Sequence, residues 1–211
     1  MAASTASQPN AREQTSSHPR PTTGATTCDV LVIGAGIAGC GIASALAKQG
    51  RRVIVVERNL DEPDRIVGEL LQPGGVAALR HLGLEQCLEG IEATPVEGYH
   101  LHWKGEQATF WFCPVPVGDK GNVDKPTGRS FHHGKFVGRL RAAVAREPNV
   151  TLEEATAVEV LRDEKTGSVT GAVCSRFGDT PHEVRTQGLF PSRSWLVLTH
   201  KAVPCLPHHP G

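Results

Sequence analysis

The stretch DVLVIGAGIAGCGIASALAKQGRRVIVVER, from Asp29 to Arg58, constrains the fold of this chain more than any other part of it. DVLVI is an unbroken apolar run, as expected of a strand buried on both faces. GAGIAG then turns the chain into IAGCGIASALAKQG, a predicted helix that Gly50 is placed to close. RRVIVVER returns as a second buried strand. Strand, helix and strand in this order require a right-handed crossover and a parallel sheet. The uncharged run from Val30 to Ala47 has the length of a membrane span, about 18 residues. Its glycines, Gly34, Gly36, Gly39 and Gly41, fit a turn opening a helix better than a lipid-facing surface.

The three spaced glycines have steric reasons of their own. Gly34 suits the tight turn, Gly36 lets a pyrophosphate approach the backbone, and Gly39 allows close packing of helix on strand. The amides and dipole at the helix N-terminus favour an anion. Glu57 ends the second strand roughly 20 residues on, where a carboxylate accepts hydrogen bonds from ribose hydroxyls and repels a ribose phosphate. FAD or NAD therefore fits, and NADP does not. The plain alternative for Glu57 is a solvated acid at a strand end.

With 211 residues, 39% of them hydrophobic, the chain has enough apolar surface for about one to one and a half good cores. Twenty-two basic residues balance twenty-two acidic ones, so net charge draws it neither to nucleic acid nor to an anionic membrane. Six dispersed cysteines without a Cys-x-x-Cys pair read as reduced thiols, with neither a disulfide framework nor a metal site.

The Ser/Thr/Pro-rich residues 1–27 are predicted to be a disordered leader. Residues 28–187 form the predicted nucleotide-binding region. Within it, PGGVAALRHLGLEQCLEGI reads as one or two short helices with Pro73 in a first turn. GYHLHW and ATFWFCPV flank a turn and read as an antiparallel hairpin. Phe136, Leu140, Ala143 and Val144 recur at helical spacing over His133 to Glu147. Then NVTLEEATAVEVLRD, GSVTGAVCSRF and HEVRTQ read as an antiparallel meander. The tail, 188–211, holds four prolines and no sustained period, and is predicted to be irregular. The predicted class is α/β: a Rossmann-like FAD-binding domain with an added hairpin and meander.

Several of these strings together carry a resemblance. The glycine-loop unit, DRIVGELLQPGG, the Gly98-Tyr99 pair and FHHGKFVGRLR resemble the squalene monooxygenase (squalene epoxidase) family. That family belongs to the FAD-dependent, aromatic-hydroxylase-like fold group. The likeness runs from about Asp29 to about Gln187, the amino-terminal part of the family's catalytic region. It implies epoxidation of squalene in sterol biosynthesis with bound FAD, and NADPH as electron source through a partner flavoprotein reductase. It also implies association with the endoplasmic reticulum membrane, although no stretch of this chain reads as an anchoring helix.

Position by position, the resemblance implies that Ile37, Ala38, Glu57, Arg58, Arg65, Leu70 and Arg141 contact FAD. Gln72 and Tyr99 match residues facing the flavin and substrate cavity, which makes them the candidate catalytic pair. The chemistry it implies rests on the cofactor and needs no side-chain nucleophile. His132 and His133 are accordingly read as capping or surface groups at a helix entry. Other FAD-dependent hydroxylases, prenyl-lipid reductases, an NAD-linked dehydrogenase and a non-catalytic nucleotide-binding fragment remain as rival readings. The Asp-Gly strand end and later Gly-Asp motif of the family have no counterpart here. The expectation is an incomplete aromatic-hydroxylase-like fold with an exposed sheet edge, weakly active or inactive by itself.

Overall fold

The computed structural model describes residues 25–64, 69–113, 115–117, 122–176, 178–186 and 195–198, with the backbone alone for 115–117, 122–124 and 195–198. Arg65 and leader residues 1–24 lie outside this set. The leader boundary moves slightly, because Thr26 and Thr27 already belong to β1 (Thr26–Cys28). Next come β2 (Val30–Ile33), α1 (Ile37–Lys48) and β3 (Val53–Glu57), the predicted strand-helix-strand unit. β4 (Leu70–Leu71) leads into α2 (Pro73–Leu82), with Pro73 in its first turn, and a short 3-10 turn at Glu85–Leu88 follows. Five short strands are next: β5 (Thr94–Val96), β6 (Gly98–Trp103), β7 (Glu106–Trp111), β8 (Val115–Val117) and β9 (Asn122–Asp124). β10 (Gly128–Ser130) and α3 (His133–Val144) precede β11 (Val150–Glu154), β12 (Thr156–Arg162), β13 (Val169–Ser175), β14 (His182–Thr186) and β15 (Trp195–Leu198).

Side-chain alternation along β2 and β3 explains how the chain layers. Val30, Val32, Val53 and Val55 face one core, shared with Cys40, Ala43 and Ala47 of α1 and with Phe136, Leu140 and Val144 of α3. Leu31, Ile33, Ile54 and Val56 face a second core with Ala157, Ala172, Cys174 and Val184. A parallel sheet ordered β11-β3-β2-β15 thus lies between helices on one side and a mostly antiparallel layer on the other. This two-sided burial is why neither strand carries a polar residue before Glu57. The second layer orders its strands β1-β14-β13-β12, and a small sheet β4-β10-β5 packs beside α2.

Two sequence expectations are corrected. The segment NVTLEEATAVEVLRD is not one strand of the meander: it breaks at Ala155, and β11 joins β3 in parallel, Val150 opposite Val53 through Glu154 opposite Glu57. Only β12, β13 and β14 form the antiparallel meander. The tail read as irregular contains β15, which pairs in parallel with β2, Trp195 opposite Val30 through Leu198 opposite Ile33. β15 thereby takes the place of β2 as the end strand of the parallel sheet.

The predicted hairpin is present, with Tyr99 opposite Phe110 and Leu101 opposite Ala108. Tyr99, Leu101, Trp103 and Phe110 share one face by this register, and all four are exposed.

Burial also sets the chemistry of the thiols. It pushes Cys28 up to about 11, and Cys40 and Cys174 up to about 12, so these groups stay protonated at neutral pH. Cys113 is exposed. We expect a disulfide reagent such as Ellman's reagent at pH 8 to label Cys113 quickly, and Cys28, Cys40 and Cys174 only after denaturant is added. Rapid labelling of those three in the native protein would contradict the two-core packing.

Candidate functional site

The carboxyl ends of β2 and β3 leave the sheet at the same edge, because the two strands are parallel and in register from Val30–Val53 to Ile33–Val56. In an open α/β sheet this edge is where a ligand crevice forms. One of about 820 Å³ opens there, lined by the glycine loop, by the segment from Glu57 to Asp64, by one face of α3, and by Ala155 to Ala157.

Each part of the loop has a local cause. Gly34 has φ of 103°, a left-handed conformation that side chains rarely adopt, and its amide donates to the Val56 carbonyl at 2.7 Å. Gly36 is the N-cap of α1 and offers no side chain to cap the helix. The amides of Ile37, Ala38 and Gly39 therefore have no partner within the helix, and its first turn has no acidic residue. A Cβ built on Gly36 would meet nothing within 4 Å, so the space in front of these amides is open. Gly39 is buried where α1 meets the sheet, as its predicted packing role requires.

Glu57 continues the alternation of Val53 and Val55, which turns its carboxylate toward the loop. Its Oε2 accepts from the Ala35 amide at 2.9 Å and its Oε1 from the Asn59 amide at 3.3 Å. Arg141, 8% exposed, donates from Nε to the Ala35 carbonyl at 3.0 Å and from Nη1 to the Asp61 carbonyl at 2.8 Å. Its Nη2 lies 3.8 Å from Glu57 Oε2. The crevice thus brings together Gly34, Gly36, Ile37, Ala38, Glu57, Arg58 and Arg141.

The remaining candidates gather elsewhere. Leu70 lies in β4 and Gln72 caps α2, and neither lines this crevice. Gln72 Nε2 donates a hydrogen bond to the Tyr99 hydroxyl, so the two candidate catalytic residues do meet. The Tyr99 ring stands edge-on to Phe112, with centroids 5.6 Å apart. Arg65 falls outside the described residues.

Sequence reasoning missed part of the wall. His133, read as a capping or surface group, is buried and lines the crevice with Val137 and Arg141, at four-residue steps on one face of α3. The core-facing stripe of the same helix drew the reading, while this neighbouring stripe was legible at the same spacing. His132 does cap α3, its Nδ1 accepting from the Lys135 amide at 3.4 Å.

These residues fit a dinucleotide. Open space faces uncapped helix amides, and a carboxylate with lone pairs to spare stands across from them. Gly36 has φ of −84° and ψ of −170°, which alanine also adopts, so Gly36→Ala should fold normally while placing a methyl group in the cradle. We expect its unfolding free energy to fall by about 1 kcal/mol or less. FAD or ADP affinity, read by titration calorimetry, should fall by about 1 to 3 kcal/mol, as overpacking costs. Unchanged affinity would place the ligand elsewhere.

Comparison with known proteins agrees with this geometry. Residues 29–64 match the family described as FAD dependent oxidoreductase. Squalene epoxidase erg1 of Schizosaccharomyces pombe is 46% identical over 147 residues, covering 70% of this chain and 31% of that protein. Squalene epoxidase 1 of Arabidopsis thaliana is 48% identical over 149 residues, covering 71% of this chain and 27% of that protein. Among solved structures, p-nitrophenol 4-monooxygenase PnpA from Pseudomonas putida superposes with a TM-score of 0.64 at 21% identity, over 82% of this chain and 41% of that one. The chondrochloren halogenase CndH, an FAD-dependent halogenase, gives 0.62 at 25% identity, over 76% and 36%. The chain therefore spans well under half the length of the proteins it matches. Over that span it is a relative of the squalene epoxidases, built on the partial α/β fold of FAD-dependent monooxygenases.

Proposed function

We propose that this chain is the FAD-binding part of a squalene monooxygenase-type enzyme, with residues 28–187 as its functional unit. The observation that carries the reading is the crevice itself. Uncapped amides at the start of α1 face open space, with the Glu57 carboxylate across from them at the carboxyl edge of a parallel sheet.

In this reading the amides of Ile37 and Ala38 hold the diphosphate of FAD, aided by the dipole of α1. Gly36 leaves room for it and Gly39 keeps the helix close to the sheet. Glu57 takes the ribose hydroxyls with the lone pairs that Ala35 and Asn59 leave available. Arg58, exposed on the crevice wall, supplies a cation to the phosphates, and Arg65 a second. When bound, FAD supplies the oxidative chemistry that no side chain here offers.

Leu70, Gln72 and Tyr99 then belong to the flavin-facing and substrate-facing wall. The Gln72 amide fixes the Tyr99 oxygen as an acceptor, which leaves the phenol proton free to be donated. The Tyr99 ring, set against Phe112, offers an apolar surface to a hydrocarbon. Squalene is the substrate this wall suits, with electrons arriving from NADPH through a partner flavoprotein reductase. The site of action is the endoplasmic reticulum membrane. No helix among the described residues is long and apolar enough to cross a membrane.

A visible absorption spectrum tests the reading. Purified protein, supplied with FAD if necessary, should show bound-flavin bands that dithionite bleaches. Protein that stays colourless and takes up no FAD would overturn it.

A further inference from the structure

The resemblance offers Arg141 as a direct contact to FAD, yet two of its guanidinium nitrogens already hydrogen-bond the protein backbone. Nε and Nη1 bond two backbone carbonyls on separate loops, Ala35 in the glycine loop and Asp61 after β3. The Ala35 amide in turn donates to Glu57, whose other oxygen accepts from the Asn59 amide. The Asn59 side-chain oxygen accepts from the Asp61 amide at 2.7 Å. The bonds close a circuit through Arg141, Ala35, Glu57, Asn59 and Asp61. Both walls of the crevice are members of it.

We infer that Arg141 is a positioning residue, which sets the spacing between the glycine loop and the Glu57–Asp61 loop and so preforms the crevice before any cofactor arrives. The inference rests on the proposed FAD site for its ligand, but the circuit is a property of the protein alone. α3 is a firm base for such a clamp, with Phe136, Val137, Leu140 and Val144 all buried. Its first turn presses on the same loop, because a Cβ on Gly134 would stand 2.5 Å from the Pro63 carbonyl oxygen. A guanidinium suits this role since its planar fork donates in two fixed directions at once, which a lysine ammonium, a compact point charge, does not reproduce.

The test compares the full chain with Arg141→Lys, Arg141→Met and Gly134→Ala. Amide hydrogen exchange is measured without flavin, and FAD affinity is measured by titration. Exchange at Gly34, Ala35, Asn59 and Asp61 should quicken about tenfold or more in both Arg141 variants, the effect of one lost charge-assisted hydrogen bond. Exchange across β13 should stay as in the parent. FAD affinity should fall about equally in Arg141→Lys and Arg141→Met, since the lost property is the fork and not the charge. Gly134→Ala keeps Arg141 but displaces the 59–63 segment, so it should quicken exchange at Asn59 and Asp61 and weaken FAD. This variant decides the matter if the Arg141 variants do not fold.

Three results would overturn the inference. Arg141→Lys could match the parent while Arg141→Met loses affinity, which would assign the cation to the cofactor directly. Exchange could rise uniformly, β13 included, which would make the arginine a general stabilising group. Gly134→Ala could behave as the parent in both measurements. If the parent itself binds no FAD, the functional reading fails, and the flavin-free exchange still decides the role of Arg141.

Discussion

The parallel pairing of β2 with β3, Val30 through Ile33 against Val53 through Val56, is the constraint from which the rest follows. Parallel strands end at the same edge, so the glycine loop and Glu57 emerge side by side even though 22 residues separate Ala35 from Glu57. Both faces of the pair are dry, with helices on one side and the β1-β14-β13-β12 layer on the other. Apolar burial contributes about 25 cal/mol per Å². A polar residue earlier in either strand would therefore meet a core rather than a ligand. The first polar side chain that β3 can afford is the one at its end.

Charge is then arranged around a helix terminus. Uncapped amides at the start of α1 present partial positive charge to the crevice, and the Glu57 carboxylate lies beyond them, close to the Arg141 guanidinium. Glu57 stays paired, through Ala35 and Asn59, without being fully saturated. A carboxylate in that condition is suited to receiving hydroxyl groups. The Gln72–Tyr99 pair stands apart from this polar cluster, at the start of α2 and on the hairpin, whose exposed face is largely aromatic. Polar recognition and apolar surface thus occupy different elements of one fold.

What could be read in advance was what local pattern encodes. Gly34, Gly36, Gly39 and Glu57 were legible because each has a steric or electrostatic reason tied to its place in one strand-helix-strand unit. The α2 start at Pro73 and the hairpin were legible by the same kind of signal. Long-range pairing was not. NVTLEEATAVEVLRD read as part of the meander, yet β11 pairs with β3, and its Glu153 is buried with His182 Nε2 at 2.7 Å and Arg176 at 3.3 Å, partners from further along the chain. WLVL in the tail is too short for periodicity to stand out among prolines, and only the vacant edge of β2 explains its strand. The circuit through Arg141 runs mostly through backbone carbonyls and amides, to which side-chain patterns are blind.

The central claim is that the amides opening α1 receive a diphosphate while Glu57 receives the adjoining ribose. Amide chemical shifts of the isotopically labelled chain, followed during titration with FAD, test this most directly. The account predicts that the largest changes fall on Gly36, Ile37, Ala38 and Glu57, with β13 and β14 nearly still. Saturable changes centred elsewhere, with those four amides unmoved, would contradict it.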